Sequence, residues 1–129
     1  MSSAFCKRLK DEAGAMVYPL VGQTRGVSGW PDRLIVSKWW TGLIEFKLGN
    51  GALSKLQSDV IVNVSRRAPG FVFVAWMEAV AGEPWRLFWP EWPGGRDGPV
   101  VWSVEPMSPD GPVIDWLVRL AGIGLGTAR

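Results

Sequence analysis

The segment from residue 53 to residue 76 constrains the fold more than any other part of the sequence. Apolar residues recur at helical spacing over about 53–67, and Ala68-Pro69-Gly70 then ends the pattern. Residues 71–76 form a nearly continuous apolar run, which is typical of a strand buried on both faces. A strand of that kind needs cover on both sides of its sheet. The segment therefore predicts an α/β fold with a central sheet flanked by helices.

The other elements are predicted from caps, turn residues and apolar runs. Strands are predicted at 16–21, 32–37 and 43–47, after a first helix over 2 to about 14. Further strands at 85–89 and 100–104 and a closing helix at 113–120 follow the central segment. The predicted order is α-β-β-β-α-β, followed by a C-terminal Trp-rich β/α extension.

Length and composition exclude several classes of protein. The chain has 129 residues, which suits one domain, and it contains no histidine and one cysteine, Cys6. Ser-His-Asp catalysis, imidazole-bound zinc and an internal disulfide are thus excluded, and Cys6 is predicted to be a buried small hydrophobe. The net charge of +2 does not by itself indicate nucleic-acid binding. No signal peptide or membrane span is recognised, so we expect a cytoplasmic protein with no membrane partner. No small-molecule cofactor is expected either.

Nine tryptophans beside one tyrosine are the most unusual feature of the composition. Large rings that fill the core of a small domain are the favoured interpretation, ahead of stacking platforms for nucleobases. Trp39 and Trp40 lie in a predicted hairpin turn and are harder to place in a core. They are predicted to mark a dimer contact, with a wedge at a DNA junction as the alternative.

Charged residues interrupt the apolar strand predicted at 43–47. Side chains alternate along a strand, so Glu45 and Lys47 share one face while Ile44 and Phe46 point toward the core. A carboxylate and an ammonium group on such a strand are costly to bury without a purpose. The competing interpretation is a solvated face of an ordinary hairpin.

The hairpin brings Asp32 to the same face, provided that its register is right. If the turn centres between Trp39 and Trp40, Asp32 pairs with Lys47 and Leu34 with Glu45. A slip of one residue would move Asp32 to the opposite face. Two carboxylates suit a hard divalent cation such as Mg²⁺ or Mn²⁺, and a neighbouring lysine can orient a metal-bound water or offset charge on a phosphate.

The pattern Gly29-Trp30-Pro31-Asp32, followed after twelve residues by Glu45-Phe46-Lys47, resembles the PD-(D/E)XK nuclease superfamily. It is similar in particular to the VRR-NUC and Holliday-junction-resolvase branch. The resemblance covers about residues 5–76. It implies a restriction-endonuclease-like fold with a central mixed sheet. The chain is expected to form a single nuclease domain over 1–129, with this core at about 5–76 and a C-terminal extension over 77–129 that the resemblance does not cover.

The resemblance also implies roles for individual residues. Asp32 and Glu45 match the metal ligands, the backbone carbonyl of Phe46 matches a third ligand, and Lys47 matches the catalytic lysine. Two residues on neighbouring helices are less specific to the motif. Gln57 matches a catalytic glutamine but also completes a capping box with Ser54, and Glu12 matches an acidic metal ligand but can pair with Arg8.

The implied function is that of a Mg²⁺- or Mn²⁺-dependent DNA endonuclease, a hydrolase of phosphodiester bonds. Branched DNA, such as four-way junctions or flaps, is the implied substrate, and a homodimer would present two sites for two cuts. Arg25 and Lys55 flank the predicted site and are expected to contact phosphates. Two alternatives remain: the same chemistry on linear duplex for restriction, homing or nicking, and a non-catalytic module that binds nucleic acid or protein.

Overall fold

The computed structural model describes residues 2–20, 30–47, 53–68, 71–77, 85–107 and 111–128. Within these ranges the chain forms three helices and six strands. In chain order they are α1 (Ser2–Ala13), β1 (Met16–Pro19), β2 (Arg33–Val36), β3 (Thr41–Lys47), α2 (Lys55–Arg67), β4 (Phe71–Met77), β5 (Trp85–Glu91), β6 (Val101–Met107) and α3 (Val113–Ala128). The order confirms the predicted α-β-β-β-α-β series and the appended strands and helix.

The six strands lie in one sheet, in the same order as in the chain. Neighbouring strands are antiparallel except β3 and β4, which run parallel. Parallel neighbours cannot be joined by a tight turn, and α2 provides the crossover between them. The sheet is therefore mixed, as predicted.

Helices cover both faces of the sheet. On one face, α1 and α3 pack on the inward side chains of β2 and β3, including Ile35 and Ile44, which are fully buried. On the other face, Ile61 of α2 packs against Leu43, with Leu34 and Val64 around them. The alternation predicted for β3 is confirmed, because Ile44 and Leu43 belong to opposite layers. The protein is a mixed α/β structure of three layers.

Several tryptophans belong to the core, as their number suggested. Trp40, Trp85, Trp89, Trp92 and Trp116 are all buried. The indole Nε1 of Trp40 donates a hydrogen bond to the carbonyl of Leu117 at 2.8 Å, and its ring meets that of Trp116 edge-on at 5.7 Å. The prediction that Trp40 lies on a dimer surface is wrong, because the turn between β2 and β3 directs this ring beneath α3. Trp39 is partly buried against the same core.

The ends of the N-terminal elements follow from local residue types. Gly14 ends α1 as predicted, with a positive φ of 65° that glycine adopts without strain. The first strand stops at Pro19, two residues earlier than predicted, where proline cannot donate to a ladder. Cys6 is buried and forms no disulfide, as predicted.

No helix within the described ranges is long and apolar enough to cross a membrane.

Candidate active site

The turn between β2 and β3 sets the register of the hairpin, and Ser37 determines that turn. The Ser37 N–H donates to the carbonyl of Trp40 at 3.0 Å, and the Ser37 hydroxyl oxygen accepts hydrogen bonds from the N–H groups of Trp39 and Trp40. The turn therefore centres between Lys38 and Trp39, one residue earlier than predicted.

The earlier turn shifts the pairing of the two strands by two residues. Leu34 lies opposite Leu43, whereas the sequence predicted Glu45 at that position. The predicted register is thus wrong. Because the shift is even, every side chain nevertheless keeps the face that was predicted for it. One step beyond the last pair of β2, Asp32 stands opposite Glu45.

Asp32, Glu45 and Lys47 come together at the end of this hairpin. The Asp32 Oδ1 atom accepts a hydrogen bond from the Phe46 N–H at 3.2 Å, so the carboxylate replaces a rung of the backbone ladder. The Lys47 Nζ atom lies 3.9 Å from Glu45 Oε2. The acidic pair and the lysine therefore occupy one side of the sheet, the side that carries Leu43 and α2.

Burial shifts the titration of both carboxyl groups. Glu45 is 6% exposed, and its pKa is raised to about 7 by burial first and by the Asp32 charge second. Lys47 and Arg33 oppose that rise. Burial also raises the pKa of Asp32, against the Phe46 N–H and the Arg33 guanidinium, which lower it. A bound cation would relieve the cost of ionising buried Glu45 beside the Asp32 carboxylate.

Arg33 is a component of the site that the sequence did not single out. Its Nη1 atom donates to the Asp32 carbonyl at 3.0 Å and lies 3.6 Å from Asp32 Oδ2. The sequence offered Arg33 only as one of several surface cations, and strand alternation assigns it to the face of Ile44, away from the carboxylates. Its side chain is long enough to reach around the end of β2. In the sequence, only the position of Arg33 next to Asp32 indicated that it belongs to the site.

The donor set fits a hard divalent cation. Besides the two carboxylates, the Phe46 carbonyl points toward Asp32, because the N–H and C=O groups of a strand residue face the same neighbouring strand and the Phe46 N–H faces Asp32. Oxygen ligands of this kind are those that Mg²⁺ and Mn²⁺ prefer. Within the described ranges, no group of three or more histidine, cysteine, aspartate or glutamate residues could hold a metal ion. Water and substrate oxygens would have to complete the coordination.

The start of α2 carries two of the predicted site residues. The capping box is confirmed: Gln57 N–H donates to Ser54 Oγ at 3.1 Å, and Ser54 N–H donates to Gln57 Oε1 at 2.9 Å. The catalytic role of Gln57 stays a prediction, since its carbonyl oxygen is engaged in the cap. Lys55 is 90% exposed and pairs with Asp59 at 2.9 Å. Arg25 lies outside the described residues.

Glu12 is held at another place in the molecule. Its carboxylate accepts a hydrogen bond from Arg8 Nε at 2.7 Å, which confirms the predicted pair. Arg8 also donates to the Gly111 carbonyl at 2.7 Å, and the Glu12 pKa is lowered by the Arg8 hydrogen bond. This geometry favours a role in joining α1 to the start of α3. A role as metal ligand gains no support from it.

A surface groove lies apart from the carboxylates. It has a volume of about 510 Å³ and is lined by Asp115, Val118, Arg119 and Gly122 of α3. Because α3 packs on the face opposite to α2, the groove and the acidic pair are on different sides of the sheet. The chemistry described above therefore does not belong to this groove.

Comparisons with known proteins add no further information on the site. No family model matches the chain. No curated protein and no solved structure matches it significantly. The chemical interpretation of the site therefore rests on its own residues and geometry.

Proposed function

We propose that the protein is a DNA endonuclease that requires Mg²⁺ or Mn²⁺. The observation that carries the proposal is a carboxylate pair, Asp32 and buried Glu45, with Lys47 beside it at the end of one hairpin. Support also comes from the element order, which is the one that the resemblance to PD-(D/E)XK nucleases implied. A restriction-endonuclease-like core of the VRR-NUC and resolvase type is part of this proposal.

The residues of the chain would divide the work of phosphodiester hydrolysis. Asp32, Glu45 and the Phe46 carbonyl would hold the cation, which supplies Lewis acidity and lowers the pKa of a bound water. The Phe46 N–H fixes the orientation of Asp32. Lys47, whose Nζ is 3.9 Å from Glu45, would orient the attacking water and offset negative charge that develops on the phosphate. Because Glu45 is buried, bulk water competes less with its carboxylate for the cation.

Branched DNA is the proposed substrate, and a homodimer is the proposed assembly. Two copies of the site, related by two-fold symmetry, would make paired cuts in a four-way junction. Lys55, exposed at the start of the helix that follows β3, would contact a phosphate. Arg25 keeps the same proposed role.

A cleavage assay tests the proposal. Labelled four-way junction, flap, linear duplex and single-stranded DNA would be incubated with Mg²⁺, Mn²⁺ or EDTA. We expect metal-dependent cutting by the natural protein and a loss of about 100-fold or more for Glu45→Gln and Lys47→Met. The exposed ion pair of Lys7 and Asp11 on α1 supplies matched controls, Lys7→Met and Asp11→Asn, which should cut normally.

The same assay separates the alternatives. Preference for linear duplex over junctions and flaps would assign restriction, homing or nicking. If the folded natural protein cuts none of the four substrates and binds no Mn²⁺, the endonuclease proposal is wrong and a non-catalytic binding module replaces it.

A further inference from the structure

An aromatic ring stands next to the acidic pair on a rigid stretch of backbone. Trp30 directly precedes Pro31 and Asp32, and the Pro31 side chain is fully buried. Proline fixes its own φ and restricts the residue before it to extended conformations. Trp30 is two residues from Asp32, a distance of at most about 7 Å along the chain. The ring is therefore held close to the carboxylates by the residue that anchors the motif.

The Trp30 ring is on the same side of the sheet as the carboxylates. It packs against the apolar cluster of Leu43 and Ile61, and Leu43 shares its face of β3 with Glu45. Trp30 is only partly buried in that cluster, so part of its surface is open to solvent. Trp40, by contrast, is buried in the opposite layer, beneath α3. An indole left partly open beside a phosphodiester-cleaving site is suited to contact a nucleobase.

We propose that Trp30 stacks on the nucleobase adjacent to the scissile phosphate, an inference that rests on the proposed endonuclease function. In continuous duplex both faces of every base are covered by its neighbours. An indole can reach an open face only where the stack is broken, at a branch point, at the base of a flap or in a single strand. The substrate class is therefore DNA with an unstacked nucleotide at the cut.

Abasic substrates test the contact directly. The cut position is first mapped with the natural protein. Flap and four-way junction substrates are then prepared with either a normal or an abasic nucleotide on each side of that phosphate. For Trp30→Leu, we expect a 5- to 150-fold loss of kcat/KM on normal DNA, which corresponds to the ~1–3 kcal/mol of a base–aromatic stack. On the abasic substrate, the natural protein and Trp30→Leu should cut equally, and Trp30→Phe should keep most activity on both.

A matched control separates stacking from packing. Trp102 of β6 is another partly buried tryptophan of the same cluster, so Trp102→Leu removes equivalent packing away from the site. It should leave the ratio of normal to abasic cleavage unchanged. Unfolding midpoints and Mn²⁺ binding show whether each variant is folded. If Trp30→Leu is not folded, the ratio of normal to abasic cleavage by Trp30→Phe decides between stacking and packing.

The outcomes are distinguishable from a failure of the endonuclease proposal. Equal losses for Trp30→Leu on normal and abasic DNA would assign the ring a packing role and overturn the inference. Unchanged cleavage of both would overturn it as well. Absence of cleavage by the natural protein would instead refute the endonuclease function on which the inference rests.

Discussion

Replacement of Glu45 by glutamine is expected to stabilise the protein above neutral pH when no metal is present. Glu45 is 6% exposed, and burial followed by the Asp32 charge raises the pKa of its carboxyl group to about 7. A carboxyl group with a raised pKa holds its proton more tightly in the folded protein than in the unfolded chain. The resulting stability is complete below pH 4.5, the ordinary pKa of the group, and is lost as the pH rises through about 7.

The magnitude follows from the two pKa values. A rise from 4.5 to about 7, at 1.36 kcal/mol per pH unit, corresponds to about 3 kcal/mol of lost stability. Solvent at the edge of the site, beside the partly exposed Lys47, screens part of this, so about 2–3 kcal/mol is expected. A glutamine of similar shape carries no charge and avoids the loss. In a chain of this length, the gain raises the unfolding midpoint by roughly 10 °C.

Urea and thermal unfolding at pH 5 and pH 8, both with EDTA, would measure the effect. The two proteins should differ by less than about 1 kcal/mol at pH 5, and Glu45→Gln should be the more stable at pH 8. Asp11→Asn removes an exposed carboxylate on α1 and should show no such pH-dependent gain. The reasoning about buried charge is refuted if Glu45→Gln is no more stable than the natural protein at pH 8.

Three further predictions concern the metal, a helix cap and a buried hydrogen bond. Mn²⁺ at about 100 times its Kd should stabilise the natural protein by about 2.7 kcal/mol in a thermal-shift assay, and Glu45→Gln far less; no shift of the natural protein would contradict a metal site. Ser54→Ala should lower the free energy of unfolding in urea by about 1 kcal/mol, because the capping box is lost, and an unchanged midpoint would show that the cap contributes nothing. Trp40→Phe should cost about 1–3 kcal/mol more than Trp92→Phe, since of these two tryptophans only Trp40 has a described indole hydrogen-bond partner, the Leu117 carbonyl; equal losses would count against this bond.

Face assignments in the hairpin were predictable because strand periodicity is a local property. Alternation along β3 suffices to separate Ile44 from Glu45. The register was not predictable from alternation, because it depends on which residues close the turn. The Ser37 hydroxyl oxygen closes the turn by accepting hydrogen bonds from two backbone N–H groups. Serine commonly makes such bonds in turns, so Ser37 was a sequence signal from which this turn could have been predicted.

Errors and omissions in the sequence interpretation involve contacts between distant parts of the chain. Trp40 was assigned to the surface because it lies in a turn, yet its partner Leu117 is 77 residues away. Arg8 was predicted to pair with Glu12, but its second bond, to Gly111, could not be predicted from local spacing. Arg33 reaches the carboxylates around a strand end, where the simple alternation of faces no longer applies.

The agreement between strand order in the sheet and strand order in the chain has a consequence for how the protein folds. Every antiparallel pair joins consecutive strands, and the one parallel pair, with Thr41 beside Phe71, bridges 30 residues through α2. Such pairings close short loops and lose little chain entropy, which favours rapid folding. The hairpin that carries Asp32 and Glu45 is among the most local of them. We therefore expect the acidic pair to assemble early, before contacts such as Phe5 with Trp116 bring the ends of the chain together.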